Sequence, residues 1–370
     1  MRTILTSRKL IRKPKDINYN RDIGLLMSLS QAVKEFARSK GAIAVGIATV
    51  ETLKGGPPSV DLEYKLKGAR SAISFALPFN QDYIRLFLSK QDRAPHEQDN
   101  LSANVRSTQL AWEMAELIKK QGFEARGISS NLKYRKEIPG WEIKLLPDLS
   151  HRYFAVASGV GSFGWSGNVG IKGFGTAIIL GTCITTAELE PTGPIPEAEG
   201  FCDKCKLCVS ACAVGMMEKE KEMSVIMGGK TFSHSGRKSY LLCQFCCGGF
   251  TGLHQSGKWS TWSPGRFQMP ETEPELIKEL LRAVSLYSKR PPMPGGYTHP
   301  ALGGIRQYMT CGNCQIVCWG DKKETAKNLK LLHKSGCVLQ REDGSLYALP
   351  AQEAQAEFAQ MDAERKNFYF

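Results

Sequence analysis

The chain has 370 residues, and its hydrophobic share of 42% is that of an ordinary globular protein. It contains no run of about 18 apolar residues, which excludes a transmembrane helix, and its basic, polar N-terminus has no apolar core or twin arginine, so we predict no export signal. Lysine and arginine outnumber aspartate and glutamate by 49 to 36, a formal net charge of +13. That excess suits RNA, a membrane surface or an acidic redox protein, but no dense basic block singles one out, and a basic cytoplasmic protein is the simpler interpretation.

In chain order, a basic arm over residues 1–24 precedes a region in which helix and strand patterns alternate. Apolar residues at helical spacing follow from Leu26 to Ala37, with Gly41 as the stop signal, and Gly55-Gly56-Pro57-Pro58 predicts a turn. The alternation predicts an α/β sandwich over residues 25–195. The predicted strands cover residues 42–48, 71–78, 123–129, 141–146 and 176–185, and further helices cover residues 110–118 and 151–158.

A glycine motif, Gly159-Val-Gly161-Ser-Phe-Gly164, interrupts this region. Its pattern is G-x-G-x-x-G, but a dinucleotide site should open the first strand-to-helix turn, and this motif comes late and after a predicted helix. Three interpretations stay open: a nicotinamide site, glycines that allow tight packing, and close approach of the backbone to another large cofactor.

Twelve cysteines are the most informative feature of the sequence, because none precedes Cys183 and ten fall between Cys202 and Cys318. Cytoplasmic proteins rarely carry disulfides, and a chain of this length does not need them. Cys202, Cys205, Cys208 and Cys212 form C-x2-C-x2-C-x3-C. In such a run three thiolates on one loop bind a [4Fe–4S] cluster and the fourth ligates a second cluster, whereas zinc sites usually use paired C-x2-C units.

A second run carries three more cysteines, so two clusters need one further ligand. Crossed ligation predicts one cluster on Cys202, Cys205, Cys208 and Cys318 and the other on Cys212, Cys311, Cys314 and Cys243 or its neighbour. We expect two of Cys243, Cys246 and Cys247 to remain as buried thiols, or to mark a third redox feature. Cys183 and Cys337 are interpreted as packing residues.

The order of these features resembles the epoxyqueuosine reductase and corrinoid-dependent reductive dehalogenase superfamily over residues 25 to 325. Five pieces carry the resemblance: Gly41-Ala-Ile-Ala-Val-Gly-Ile-Ala48, Ala69-Arg-Ser-Ala-Ile-Ser-Phe-Ala-Leu-Pro78, the glycine motif with Trp165, Gly181-Thr-Cys-Ile-Thr-Thr186, and the two cysteine runs, the second ending Cys318-Trp319.

The resemblance implies a nitroreductase-like α/β domain, residues 25–195, that holds cobalamin. It also implies a ferredoxin-like module with two [4Fe–4S] clusters, residues 196–330, with a long insert at about 213–310; residues 331–370 form a tail. The resemblance implies a base-off corrinoid without a protein axial ligand. No histidine lies in an Asp-x-His-x-x-Gly context, so a histidine ligand from that motif is not supported. The expected contacts of the corrinoid are Gly159, Gly161, Gly164, Trp165 and Ser166.

Reductive cleavage of a C–O or C–halogen bond needs a proton donor. The resemblance places this group upstream of the glycine motif, where the candidates are Asp148, His151 and Tyr153. Asp148 is equally suited to a position near a helix N-cap, and Tyr153 to packing. Arg152 is a candidate ligand for an anionic substrate or a corrinoid phosphate.

The resulting hypothesis is a cytoplasmic oxidoreductase, dependent on iron–sulfur clusters and cobalamin. It would draw electrons from a low-potential donor of ferredoxin or flavodoxin type and reduce a small organic or tRNA-borne substrate. Two alternatives stay open: a two-cluster electron-transfer protein, and a reductive activator of a partner corrinoid protein. Flavin in the first domain is a variant of the main hypothesis.

Overall fold

The structure of the protein is a computed structural model that describes residues 27–129, 133–287, 289–298 and 306–370. The predicted basic arm, residues 1–24, lies outside these described residues. The fold is mixed α/β with antiparallel sheets, and the predicted mixture of helices and strands is confirmed. In the part of the chain that the structure describes, no helix is both long and apolar enough to cross a membrane.

The strands pair only with antiparallel neighbours. They are β1 Ala44–Thr49, β2 Ser71–Pro78, β3 Ala125–Ile128, β4 Ser162–Phe163, β5 Val169–Gly170, β6 Ile178–Thr185, β7 Met217–Met227, β8 Lys230–Arg237, β9 Tyr297–Thr298, β10 Arg306–Gln307, β11 Cys337–Gln340 and β12 Leu346–Leu349. The main sheet has the order β1-β2-β6-β3, and the other strands pair as β4–β5, β7–β8, β9–β10 and β11–β12.

The helices range from single turns to one long helix. They are α1 Leu29–Ser39, α2 Val50–Leu53, α3 Gln81–Leu88, α4 Ala94–Lys119, α5 Trp141–Lys144, α6 His151–Ala157, α7 Leu207–Ser210, α8 Tyr240–Cys247, α9 Glu273–Tyr287, α10 Asn313–Ile316, α11 Lys322–Lys334, α12 Ala351–Gln360 and α13 Ala363–Lys366.

Strand β2 is central and buried on both faces, which explains its nearly unbroken apolar sequence. Its side chains alternate between two cores. Ala72 and Ala76 face the core that contains Phe154 of α6, whereas Ile73 and Phe75 face the core under α1 and α4. The glycine in β1 has a local reason, because a Cβ on Gly46 would lie 2.1 Å from the carbonyl oxygen of Ser158 at the end of α6.

The strand predicted over residues 141–146 is wrong. The structure has the short helix α5 there, flanked by Gly140 at φ 77° and Leu145 at φ 48°. Two left-handed residues only five positions apart prevent an extended strand here. The spacing of the apolar residues did not reveal these backbone conformations.

The predicted tail, residues 331–370, contributes to a buried core. Ala354, Met361 and Tyr369 are buried in one core with Cys337 and Leu339 of β11. Cys183 and Cys337 are both buried among apolar neighbours, as expected for packing residues.

Candidate functional site

The first group of cysteines surrounds a single small cavity of about 280 Å³. Cys202, Cys205, Cys208 and Cys318 all line it. Two lysines between them, Lys204 and Lys206, have left-handed backbones with φ 55° and 60°. These tight bends fold the C-x2-C-x2-C segment into a loop and carry its three thiols to one wall.

The fourth thiol comes from the distant second run and is held by the backbone around the main sheet. The carbonyl oxygen of Cys318 accepts a 3.0 Å hydrogen bond from the backbone N–H of Thr176, just before β6. A Cβ on Gly175 would lie 2.2 Å from the same carbonyl oxygen, so a glycine is required there. The sheet therefore positions Cys318 against the loop of the first run.

The second group of cysteines lies around the end of α8. Cys212 interacts electrostatically with Cys311 and Cys243, and Cys314 with Cys243, Cys311 and Cys212. The first run is thus divided between the groups, with Cys212 separated from the three cysteines that precede it in sequence. This is the crossed arrangement of two-cluster ferredoxins.

Two further thiols stand beside the second group. Cys243 Sγ lies 3.5 Å from Cys247 Sγ, one turn later on α8, and Cys246 interacts electrostatically with Cys311. Cys246 is buried, whereas Cys247 is exposed. Six cysteines are therefore neighbours at this end of α8, and one [4Fe–4S] cluster would use four of them.

The surroundings of the thiols suit metal-bound sulfur. Burial raises the pKa of Cys205 to about 11 and that of Cys208 to about 12, and a bound cation would oppose this shift by stabilising the thiolates. Cys202 Sγ accepts from the backbone N–H of Trp165 at 3.3 Å, and Cys212 Sγ accepts from that of Met216 at 3.4 Å. Hydrogen bonds of this kind stabilise cluster thiolates.

Within the described ranges, no three cysteine, histidine or acidic side chains are grouped so that they could hold a metal ion. The four thiols of the first group line a cavity instead. The residues present fit a [4Fe–4S] cluster by donor type and by the crossed grouping of the two runs.

An arginine pair borders the second group. Arg152 donates to the carbonyl oxygen of Gly167 and Arg237 to that of Ser166, each at 2.8 Å, and no described carboxylate pairs with either guanidinium. Burial raises the pKa of Tyr240, but Arg237 and Arg152 outweigh it and the net shift is downward. Positive potential is thus concentrated one helical turn from Cys243.

The glycine motif packs against protein. A Cβ on Gly159 would lie 2.3 Å from the carbonyl oxygen of Gly193, and one on Gly161 would lie 2.5 Å from that of Gly170. Gly164, Trp165 and Ser166 line the cavity of the first cysteine group. The motif therefore lies where the sheet domain meets the first cysteine run.

The hairpin β7–β8 covers the surface on which the resemblance places a corrinoid. The backbone N–H of Ser235 donates to the carbonyl oxygen of Trp165 at 2.9 Å. The rings of His234 and Phe163 pack edge to face, with 5.2 Å between their centroids. Met227 is buried in the same core as Leu149 and Phe154. With this hairpin seated on α6 and the glycine motif, the residues there do not fit a corrinoid.

Asp148 and His151 interact electrostatically, and each of the three predicted proton donors has a further partner. Asp148 pairs with Lys65 at 2.7 Å and is buried. His151 is hydrogen-bonded to Thr182 Oγ1 at 2.8 Å. The ring of Tyr153 packs edge-on against that of Phe163, with 6.1 Å between the ring centroids. Asp148 and His151 thus have structural partners.

Sequence reasoning missed Asn168, Arg237 and Tyr240 as neighbours of the second cysteine group. Asn168 Nδ2 donates to Cys314 Sγ at 3.7 Å. Asn168 lies only two residues after the predicted cofactor contacts, but nothing in the sequence pairs it with a cysteine 146 residues away. Tyr240 and Cys243 are three apart on α8, a spacing that puts them on one face once the helix is known.

No protein-family model matches this chain, and no curated protein matches it. Solved structures of two kinds of reductase are similar to it. A reductive dehalogenase described for B12-dependent dehalogenation is 17% identical, with 70% of this chain and 35% of that chain covered and a TM-score of 0.46. The catabolic reductive dehalogenase NpRdhA is 18% identical, with 56% and 29% covered and a TM-score of 0.42.

The second kind is an epoxyqueuosine reductase in complex with an epoxyqueuosine-modified tRNA-Tyr stem loop. It is 15% identical, with 81% of this chain and 68% of that chain covered and a TM-score of 0.42. These are the two kinds of protein that the sequence resemblance named. The chain spans about a third of the length of the dehalogenases.

Proposed function

We propose that this protein is an iron–sulfur reductase in which two [4Fe–4S] clusters carry electrons from a low-potential donor to a substrate beside the second cysteine group. The observation that carries the proposal is the crossed grouping: Cys318 joins the first run around one cavity, and Cys212 leaves it for the second group. That exchange joins two distant cysteine runs and is the arrangement that places two clusters side by side.

The first cysteine group is the entry point for electrons. Lys206 and Lys322 line its cavity. Asp203 and Lys204, which lie between Cys202 and Cys205 in the loop, are exposed. Lysines and aspartates both line this cavity, so the exposure of its loop, rather than its charge, supports docking of a ferredoxin or flavodoxin donor here.

The second cysteine group is the exit point. Reductive cleavage of a C–O or C–halogen bond consumes two electrons and one proton and yields R–H and the leaving group. The external donor supplies the electrons one at a time through the clusters. Because β7–β8 occupies the surface assigned to cobalamin by resemblance, no step of this proposal uses a corrinoid.

Anaerobic reconstitution with iron and sulfide tests the proposal. We expect about eight irons per chain in the native sequence and about four after Cys318→Ser. Cys183→Ala, which alters a buried cysteine outside both groups, should retain about eight. A native chain that binds zinc or no iron would overturn the assignment.

Incubation with hydroxocobalamin tests the absence of a corrinoid separately. We expect no cobalt to remain after desalting. About one cobalt per chain with a base-off spectrum would show that the hairpin moves aside and that the corrinoid-free route is wrong.

A further inference from the structure

A cavity of about 550 Å³ lies between the segment that joins the two cysteine runs and the C-terminal elements. We propose that it binds a small molecule with an apolar body and one anionic group, such as an aromatic carboxylate, and that this molecule is the substrate. The identification as substrate rests on the proposed reductase, whereas the binding does not.

The size and walls of the cavity suit a single aromatic ring or a short alkyl body. Its volume falls in the range of about 300–1,000 Å³ that is typical of small-molecule sites. The walls are mainly apolar, and the apolar side chains that line it are Val214, Leu253, Phe267, Met269, Ala354 and Phe358.

One wall carries a positive charge without an acidic partner. Burial lowers the pKa of Arg266 to about 10, so the guanidinium stays protonated at neutral pH. It donates to the carbonyl oxygens of Pro264 at 2.6 Å and Val338 at 2.7 Å. No described Asp or Glu carboxylate lies within 4.0 Å of it.

A second guanidinium adds to this charge. Arg290 repels Arg266 electrostatically, and burial lowers its pKa to about 10 as well. Its Nη2 is buried without a hydrogen-bond partner. Arg266 lines the cavity and Arg290 does not, so Arg290 only adds to the positive potential at Arg266. A partly buried cation without a described acidic partner favours an anion in the adjoining space.

The cavity is close to the second cysteine group. Ala213 and Val214 line it and directly follow Cys212 in the chain. Ala213 also packs in the same core as Cys246. A ligand in the cavity would therefore lie beside the cluster that we place at the end of the electron path.

The predicted proton donors Asp148, His151 and Tyr153 do not line this cavity; its titratable lining residues are His254, Arg266 and Cys337. His254 Nδ1 accepts a hydrogen bond from the backbone N–H of Ser256 at 3.1 Å. The neutral ring therefore carries its proton on Nε2.

Calorimetric titration of the anaerobically reconstituted protein tests the site with three probes. Benzoate combines a ring and a charge, benzyl alcohol has the ring only, and acetate has the charge only. We expect benzoate to bind at least about tenfold more tightly than either of the others, because a charge-assisted contact and apolar burial act together. Equal affinities for all three probes, or no binding of benzoate, would overturn the proposal.

Variants locate the binding. Ala354→Phe fills the cavity from α12 and should weaken benzoate binding at least about tenfold, and Ala351→Leu, a milder change on the same wall, should weaken it severalfold. The control Ala356→Phe lies on an exposed face of α12 and should leave affinity unchanged. If both cavity variants still bind benzoate as tightly as the native chain, the ligand binds elsewhere and the proposal is wrong.

Iron content measured on the same samples separates the two proposals. If a chain with about eight irons does not bind benzoate, only the proposed substrate site is wrong. If the chain binds no iron, the proposed reductase is wrong. Arg266→Gln adds a second readout, because it should weaken benzoate binding but not that of benzyl alcohol. An equal loss for both probes would show a structural role only.

Discussion

The side-chain amide of Asn168 donates a hydrogen bond to Sγ of Cys314 across 3.7 Å, joining the loop after the glycine motif to the second cysteine run. A donor to a cluster thiolate stabilises the more negative, reduced state. It therefore raises the reduction potential.

Asn168→Ala should lower the reduction potential of the second cluster by roughly 40 mV, the equivalent of one hydrogen bond of about 1 kcal/mol in a one-electron couple. The first cluster should be unaffected. Redox titration followed by electron paramagnetic resonance resolves the two potentials. An unchanged second potential would show that this contact does not reach the cluster.

Arg237 acts on the same centre by charge. It interacts electrostatically with Cys243 and has no described acidic partner. Arg237→Gln should lower the second potential by on the order of 50–100 mV, since a partly buried unit charge nearby is worth about 2 kcal/mol.

The control for this change is Arg282→Gln, which alters an arginine already paired with Glu279 on α9. It should leave both potentials in place. A similar shift in the two variants would point to a general effect of net charge rather than to the position of Arg237.

Glu97 ties the long helix α4 to the segments around the second cysteine run. Its buried carboxylate pairs with Arg93 and accepts from the backbone N–H groups of Gly296 and Met309, each at 2.9 Å. Glu97→Ala should cost about 3–5 kcal/mol, because it leaves a buried guanidinium and two N–H groups unpaired.

The comparison variant is Glu116→Ala on the same helix, where the ion pair with Lys119 is exposed. It should change the free energy of unfolding by less than about 1 kcal/mol. Urea unfolding of both variants measures the difference, and equal losses would contradict the anchoring role of Glu97.

The buried histidine His96 should make the folded protein less stable in acid. It is fully buried between Phe79 and Phe87, neither ring nitrogen has a hydrogen-bond partner, and burial lowers its pKa to about 4. Between about pH 6.5 and 4 the unfolded chain binds a proton that the folded chain does not, so stability falls as the pH falls through this window.

The contribution of this one residue between pH 7 and pH 5 is about 2 kcal/mol. His96→Leu should remove that part of the pH dependence in urea unfolding. His333→Leu, which changes a histidine that is not fully buried, should retain it. A parallel pH dependence in wild type and His96→Leu would assign the acid sensitivity to other groups.

The sequence by itself determined the parts of this protein that depend on local spacing. Cysteines three and four residues apart predicted two cluster-binding runs, because a tight loop can bring such neighbours together without help from the rest of the chain. A short apolar run and a helical pattern likewise predicted β2 and the helix around residues 110–118, since each pattern depends only on neighbouring residues of one element.

The tertiary structure decided which residues far apart in the sequence contact each other. That Cys318 completes the first group depends on the sheet around Thr176, and the contact of Asn168 with Cys314 spans 146 residues. The seating of β7–β8 on the glycine motif and the cavity beneath α12 arise from packing of separate segments. Local propensity carries no information on such contacts, because the free energy that selects them comes from burial against partners far along the chain.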